Sequence, residues 1–150
     1  VHQSNGEFEE KFALRKLELI SSLPNEPILI RADGGYLWRV LENLYNNAYK
    51  YAMANSRIYV DISRDEQTVT FTMKNISEHP LNISGEELTE RFVRGDSSRT
   101  TEGSGLGLSI AQSLTRLQNG TFTLSIDGDL FKASVQFPII NAGAQPTAEG

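Results

Sequence analysis

The segment from Leu37 to Ala48 constrains the fold of this chain more than any other part of the sequence. Its apolar residues recur every three or four positions and therefore lie along one side of a helix: Leu37, Val40, Leu41, Leu44 and Ala48. Asp33 precedes two glycines that break the chain, and its side chain can cap the helix that follows. A helix with one continuous apolar side must bury that side against another layer of the domain.

Alternating apolar and polar residues predict two β-hairpins after this helix. Each hairpin has two alternating segments around a turn: 58–62 and 69–73 around the polar residues 64–67, and 122–126 and 131–137 around Asp127-Gly128. Shorter patterns predict four more elements: helices at 7–16 and 105–118, and strands at 17–22 and 28–30. Together these elements predict an α+β fold, a two-layer sandwich with a mixed, mostly antiparallel sheet and helices packed on one face.

The composition fits one globular domain and excludes several classes of function. The chain has 150 residues, of which 39% are hydrophobic and 22% are charged. Its formal net charge of -5 argues against a nucleic-acid partner. The absence of cysteine excludes disulfides, thiolate chemistry and cysteine-bound zinc. Because no apolar run approaches the roughly 20 residues that span a bilayer, and no signal peptide opens the chain, we expect any membrane segment of a parent protein to lie outside it.

We assign the folded domain to residues 7–140. Residues 1–6 are polar and patternless, and we expect them to be disordered or introduced by cloning. Residues 141–150 are rich in Ala, Gly and Pro and are expected to form a disordered tail. Residues 76–104 are irregular apart from a short helical pattern near 86–92, and an irregular segment of that length inside a compact domain is usually functional or disordered.

Four polar residues share one side of the long helix. Asn43 and Asn47 are four residues apart, and Lys50 and Tyr51 follow Asn47 by three and four. Asn is a poor helix former, so its repeated use in mid-helix requires an explanation. One interpretation is an oxygen ligand for Mg²⁺ beside a cation that binds phosphate. The other is a solvated helix surface.

A glycine-rich run opens the second helix. Gly103, Gly105 and Gly107 alternate with Ser104 and Leu106, so that backbone N–H groups at the helix N-terminus can approach an anion closely. Ser104 can also donate a hydroxyl hydrogen bond. The run is neither a Walker loop, since no Gly-Lys-Ser/Thr follows, nor a Rossmann fingerprint, since it follows a long loop rather than a strand. Alternatively, the glycines serve only a tight turn.

Three arginines precede the glycines, in the segment from Glu90 to Arg99. Arg94 and Arg99 can reach a phosphate as bidentate donors. The alternative is a solvated loop that Phe92 anchors to the domain. Neither the arginines nor the glycines identify a site by themselves.

Taken together and in this order, the three features resemble the nucleotide-binding boxes in the ATP-binding catalytic domain of sensor histidine kinases. Residues 42–51 are similar to the asparagine box, residues 91–96 to the phenylalanine box and residues 103–108 to the second glycine box. The asparagine and second glycine boxes are specific as a pair. The phenylalanine box separates this family from its relatives among gyrases, mismatch-repair ATPases and heat-shock chaperones.

The resemblance implies a site for ATP and Mg²⁺ beneath a long, mobile lid formed by residues 76–104. It makes Asn47 the main Mg²⁺ ligand and places Asn43 near the phosphates. Lys50 would contact a phosphate, and Arg99 would help to neutralise its charge, which makes these four the candidate catalytic residues. The other candidate nucleotide contacts are Tyr51, Asn75, Ser77, Arg94, Gly103, Ser104, Gly105, Leu106 and Gly107.

The sequence departs from the family pattern in two places. The first glycine box, Asp-x-Gly-x-Gly, should close the strand that ends near residue 75, but Asn75 replaces the adenine-reading Asp and both glycines are missing. We therefore expect modest ATP affinity and weaker selection of the base. The strand that usually precedes the first helix of the domain is either missing or replaced by residues 1–6.

The resemblance also implies the partners. His2 lies in a polar terminus and Pro80 biases His79 away from helix, so neither resembles the phospho-acceptor. The chain would transfer the γ-phosphate of ATP to a histidine on a separate dimerisation domain of the same parent protein, and a response regulator would act downstream. We expect the parent to be a membrane-bound homodimer with this domain in the cytoplasm.

Two alternatives stay open. A gyrase-like or chaperone-like ATPase would carry a Glu one helical turn before the Mg²⁺ ligand, and Asn43 at that position argues against intrinsic ATP hydrolysis. A nucleotide-binding docking module with weak or no kinase activity is the second alternative. Its best support is the altered first glycine box at Asn75.

Overall fold

The computed structural model describes residues 1–78 and 106–140, apart from the side chain of Leu106. Its elements in chain order are α1 (His2–Leu14), β1 (Glu18–Ser22), α2 (Gly34–Tyr51), β2 (Arg57–Arg64), β3 (Thr68–Ile76), α3 (Leu106–Leu117), β4 (Thr121–Asp127) and β5 (Leu130–Pro138). The described strands form a five-stranded sheet in the order β1-β2-β3-β5-β4. Only β1 and β2 are parallel, and every other pair is antiparallel. The predicted α+β sandwich with a mixed, mostly antiparallel sheet is therefore confirmed.

Helix α2 is positioned by its cap and by its apolar side. The Asp33 carboxylate accepts a hydrogen bond from the Tyr36 N–H at 2.9 Å, which closes the N-terminus of the helix. The buried residues of α2 repeat at helical spacing: Val40, Leu41, Leu44, Tyr45 and Ala48. They join one core with the alternate buried residues of the strands, such as Ile58, Val60, Phe71 and Met73. Burial raises the pKa of the Tyr45 phenol well above its ordinary value.

Both predicted hairpins form, and each has a turn suited to its sequence. The Asp65 carboxylate accepts hydrogen bonds from the backbone N–H groups of Gln67 (2.8 Å) and Thr68 (2.7 Å). Gly128 has a φ of +62° in the second turn, a conformation that glycine adopts without strain. Both turns therefore fix the strand register and with it the face that each side chain occupies.

Helix α3 packs beside α2 and ends where the sequence predicts. Asn119 follows the helix with a φ of 67°, and Gly120 approaches its neighbours so closely that an added Cβ would lie 2.7 Å from the Phe137 ring. The Gln118 side-chain oxygen accepts a hydrogen bond from the Asp33 N–H at 2.8 Å. This bond joins the end of α3 to the start of α2. No helix in the two described ranges is long and apolar enough to cross a membrane.

The N-terminus differs from the prediction that residues 1–6 are disordered. Helix α1 begins at His2 and ends at Leu14, rather than running from residue 7 to residue 16. Ser4 is buried, and the Asn5 side chain accepts a hydrogen bond from the Tyr45 hydroxyl. Tertiary contacts thus hold the first turn of this helix in place, although the sequence of that turn shows no helical pattern.

The predicted strand at 28–30 is also wrong. Ile30 forms only an isolated bridge with Ile139, and the Leu29 carbonyl accepts a hydrogen bond from the Ile140 N–H at 2.8 Å. This segment meets the chain just beyond the end of β5, and within residues 1–78 and 106–140 it pairs with no strand. The tail at 141–150 lies outside the described residues.

Candidate functional site

The polar side of α2 meets the first turn of α3. Asn43 and Asn47 are partly buried on α2, and Lys50 is exposed in its last turn. Gly107 lies so close to Asn43 that an added Cβ would be 3.6 Å from Oδ1 of the amide. The structure therefore brings together one residue of the predicted asparagine box and one of the predicted glycine box, which lie far apart in the chain.

The amide of Asn43 is buried without a partner. Its Nδ2 has almost no solvent exposure and has no hydrogen-bond partner among the described residues. A buried donor left unpaired costs about 1–3 kcal/mol, so such a group is usually retained for a ligand or for some other function. An acceptor oxygen would satisfy it, and a phosphate is one chemical group that supplies several such oxygens.

The C-terminal end of α2 lies beside the end of β3. The Tyr51 carbonyl accepts a hydrogen bond from the Glu78 N–H at 2.9 Å, and the Ile76 carbonyl accepts one from the Met53 N–H at 2.8 Å. Ala52 and Ser77 form a bridge between these two bonds. Residues 76–78, which the sequence analysis assigned to the irregular segment, are thus held by backbone pairing.

Asn75 and Ser77 occupy this same end of the sheet. Asn75 is 3% exposed and lies on the face of β3 that also carries the buried Phe71 and Met73, which is the face under the helices. Ser77 is buried, and its N–H donates to the Asp129 carbonyl at 2.8 Å. The two polar residues predicted near the base are therefore buried side chains beside the C-terminal end of α2.

Arg15 belongs to this region, although no sequence pattern points to it. Its guanidinium donates a hydrogen bond to the Tyr49 carbonyl in the last turn of α2. A second nitrogen, Nη2, lies 3.3 Å from the Glu78 carboxylate. A single arginine after a helix matches no motif, and only the folded chain shows that it reaches these two partners.

Several predicted site residues lie outside the described residues: Arg94, Arg99, Gly103, Ser104 and Gly105. Leu106 begins α3, but its side chain is not described. The phenylalanine box at 91–96, most of the proposed lid and His79 fall in the same undescribed range. Their assigned roles stay predictions.

A family model and several known proteins match most of this chain. A family model described as histidine kinase-, DNA gyrase B- and HSP90-like ATPase matches residues 32–140. The sensor histidine kinase RppB of Synechocystis is 31% identical over 146 residues, which cover 94% of this chain and 32% of RppB. The kinase BaeS of Escherichia coli is 31% identical over 119 residues, which cover 78% of this chain and 25% of BaeS. This chain thus spans a third or less of the length of these curated relatives.

A solved structure shows the same fold. The nucleotide-free catalytic domain of the histidine kinase ThkA superposes with a TM-score of 0.78 at 24% identity, covering 91% of this chain and 88% of that domain. The resemblance to sensor histidine kinases, which rested on the three boxes, is confirmed by these matches.

Proposed function

Because this chain belongs to the family of histidine kinase-, DNA gyrase B- and HSP90-like ATPases, as the catalytic domain of a sensor histidine kinase, we propose that it binds Mg²⁺-ATP between α2 and the start of α3. It would then transfer the γ-phosphate to a histidine outside this chain. The observation that carries the proposal is the buried, unpartnered Nδ2 of Asn43 beside Gly107. A phosphate oxygen would accept its hydrogen bond and remove the cost of burying the donor.

The donor set on α2 fits a divalent cation held together with a nucleotide. Mg²⁺ prefers oxygen ligands and keeps several waters, so that one or two protein oxygens and the phosphates suffice. Asn47 supplies an amide oxygen one helical turn after Asn43, and we assign it as the protein ligand. When bound, the ion neutralises charge on the phosphate oxygens.

The cation of Lys50 completes the phosphate end of the proposed site. It is exposed on the same side of α2 as Asn47, three residues further on, so its ammonium can move to a phosphate without breaking a buried contact. We assign Tyr51 and Asn75 to the base end, because Tyr51 closes α2 while Asn75 lies under the helices at the end of β3.

Phosphoryl transfer needs positioning and charge neutralisation more than covalent help from the protein. In the proposed reaction, a ring nitrogen of the acceptor histidine forms a bond to the γ-phosphorus, the bond from that phosphorus to the bridging oxygen breaks, and ADP leaves with the bonding electrons. Asn43 and Lys50 would hold the phosphates for this in-line attack.

The partners of the reaction are part of the proposal. The acceptor histidine would lie on a dimerisation domain of the same parent protein, which would be a membrane-bound homodimer with this domain in the cytoplasm. A response regulator would act downstream. ThkA supports this order, since a structure of that kinase, to which this chain is similar in fold with a TM-score of 0.74, is a complex with the response regulator TrrA.

Calorimetric titration with a non-hydrolysable ATP analogue, with and without Mg²⁺, tests the site. Asn47→Ala should abolish the dependence of binding on Mg²⁺, while Asn46→Ala, one position along the same helix and without an assigned role, should bind like the wild-type chain. If Asn47→Ala keeps the full Mg²⁺ dependence, the assigned ligand is wrong.

A docking module with weak or no kinase activity is the second candidate, and Asn75 in place of the family's Asp favours it. The two candidates differ in one measurable step. A kinase domain should label a supplied histidine-bearing helical domain from γ-labelled ATP as acid-labile phosphate, and a docking module should bind nucleotide without labelling it. The isolated chain should not label itself in either case.

A further inference from the structure

Arg15 makes two contacts that lie on opposite sides of the base end of the proposed site. Its side chain is 22% exposed, and Nη1 donates to the Tyr49 carbonyl while Nη2 reaches the Glu78 carboxylate at 3.3 Å. Tyr49 belongs to α2, and Glu78 follows the end of β3. One planar guanidinium with five fixed donors can hold both acceptors at once, which an ammonium on a single nitrogen cannot do as well.

The Tyr49 carbonyl is one of the groups that a helix leaves unpaired. The carbonyls of the last turn depend on donors beyond the end of the helix, and in α2 this turn comprises residues 48–51. The Ala48 carbonyl accepts from the Ala52 N–H, and the Tyr51 carbonyl accepts from the Glu78 N–H. Arg15 supplies the donor for a third carbonyl, and its positive charge suits the negative end of the helix dipole.

Glu78 is held to the same helix end through both its backbone and its side chain. Its N–H donates to the Tyr51 carbonyl at 2.9 Å, and its carboxylate pairs with Arg15. The turn that carries Lys50 and Tyr51 is therefore joined to the residues just after Asn75 through Arg15. The guanidinium therefore adds a side-chain link to the backbone pairing between these two segments.

The backbone around Arg15 is fixed as well. Its carbonyl accepts a hydrogen bond from the Asn55 N–H at 3.2 Å, and the nearby Leu17 is buried in the core. The backbone that carries the guanidinium is therefore hydrogen-bonded to the chain on both sides of Arg15, and the two contacts of the side chain hold its other end.

We propose that Arg15 is a positioning residue for nucleotide binding. It does not contact the nucleotide; it fixes the last turn of α2 relative to the segment 75–78, so that both sides of the base end are in place before ATP arrives. This inference rests on the proposed function, because it assigns the base to that end of the site. It also couples the α1–β1 turn, which carries Arg15, to the nucleotide site.

Nucleotide affinity and local exchange test the proposal together. We would measure the Kd of a non-hydrolysable ATP analogue with Mg²⁺, and amide hydrogen exchange, for the wild-type chain, Arg15→Gln and Arg15→Lys. Arg15→Gln should weaken binding by about fivefold or more, the lower end of the range for coupled sites. Arg15→Lys should lose less, since it keeps the charge but not the two-pronged geometry.

The exchange pattern separates positioning from general loss of structure. In Arg15→Gln, exchange should quicken at the amides of residues 52, 53 and 78, while the core amides of β2 and β3 keep their protection. The matched control is Arg57→Gln, which breaks an exposed pair with Glu18 at 3.7 Å and should leave the Kd unchanged.

Three outcomes are distinguishable. If the wild-type chain binds no nucleotide, the proposed function fails; if it binds and Arg15→Gln binds within twofold of it, only the role of Arg15 fails. If Arg15→Gln loses exchange protection throughout the core, the affinities of Arg15→Lys and Glu78→Gln decide whether Arg15 is a positioning residue. Weaker binding by either, with an intact core, supports positioning, and wild-type affinity in both overturns it.

Discussion

The two sides of α2 differ in how they treat buried polar atoms. On the side that faces the sheet, Val40, Leu44 and Tyr45 are at most 2% exposed, and the one polar atom, the Tyr45 hydroxyl, donates to the Asn5 side chain. On the other side, Asn43 buries a donor that has no partner among the described residues. The first side is built for stability, and the second gives up some stability for a group that can bind a ligand.

The two sides of α2 differ in whether their buried polar groups have hydrogen-bond partners, and not only in how polar they are. Buried polar groups occur on both sides of the helix, and they are costly only where no partner meets them. Thr115 in α3 is fully buried, yet its hydroxyl donates to the Ala111 carbonyl at 2.7 Å. Ser4 Oγ in α1 is a second buried polar atom without a partner among the described residues, so such an atom alone does not mark a site. At Asn43 the adjacent Gly107 of the glycine box is the additional observation.

The largest expected effect separates the two sides directly. Leu44→Ala should lower the free energy of unfolding by about 2–5 kcal/mol, because it removes a fully buried side chain and leaves a cavity under α2. Asn47→Ala, one turn away on the other side, should change it by no more than about 1 kcal/mol. Urea unfolding of both variants measures the difference. Equal destabilisation would mean that Asn47 supports the fold rather than a ligand.

A substitution on the polar side of α2 is expected to raise the stability of the fold. Asn43→Ala removes the unpartnered donor and should raise the free energy of unfolding by about 1–2 kcal/mol, while weakening nucleotide binding. Ala is also the better helix former by roughly 0.5 kcal/mol, so Asn46→Ala serves as the control for that contribution. Denaturant unfolding and calorimetric titration of the same samples test both halves. A destabilised Asn43→Ala would show that the amide has a structural partner.

The sequence predicts the apolar side of α2 well and the polar side only in part. The stripe on α2 and both hairpins follow from periodicity, which needs no knowledge of the tertiary structure. The asparagine and glycine boxes were assigned to one site only because the two motifs were recognised together, and the proximity of Gly107 to Asn43 was not predicted. Neither the motifs nor the periodicity indicates that the amide of Asn43 is left unpaired.

The features that the sequence did not predict depend on distant partners. The first turn of α1 has no apolar pattern. It is helical nevertheless, because Ser4 is buried and the Asn5 side chain is bonded to Tyr45. Arg15 is 34 residues from Tyr49 and 63 from Glu78 in the chain, and no local spacing indicates that they meet. Conversely, residues 28–30 have the composition of a strand but find only the end of β5 to pair with.

Asn75 extends the comparison to the sheet, where one buried side chain is also assigned to the site. A carboxylate only accepts hydrogen bonds, so Asn75→Asp should favour the amino group of adenine and disfavour the carbonyl oxygen of guanine at that position. Because hydrogen bonds to charged groups are roughly twice as strong, ATP affinity should rise by several-fold and the preference over GTP should increase.

Competition titration of ATP and GTP against both forms measures this change. The comparison is best made near pH 8, because burial opposes ionisation of the new carboxyl. Asn75→Ala, which can neither donate nor accept, should lose affinity for both nucleotides. An unchanged ratio of the two affinities in Asn75→Asp would show that this position does not read the base.

The smallest effect is expected at Asp65, a polar residue that lies outside the proposed site and has its partners in place. Hydrogen bonds from the backbone N–H groups of Thr68 and then Gln67 lower the pKa of its carboxyl. Since the folded pKa lies below the unfolded one, the carboxylate adds stability above the unfolded pKa, and this contribution is lost as the pH falls through the folded pKa.

Asp65→Asn keeps an acceptor oxygen for the turn but removes the charge, so it isolates this contribution. The wild-type chain should be slightly more stable than the variant near neutral pH, and the gap should close as the pH falls below about 4, the ordinary pKa of Asp. Thermal unfolding of both forms from pH 7 to pH 2 measures the gap, and nucleotide affinity should not differ between them at neutral pH. A gap that stays constant over this range would show that the hydrogen bonds in the turn do not favour the charged form. A change in nucleotide affinity would show that this end of the sheet is coupled to the site. We do not expect such coupling, because the Asp65 carboxylate already has its hydrogen-bond partners within the turn.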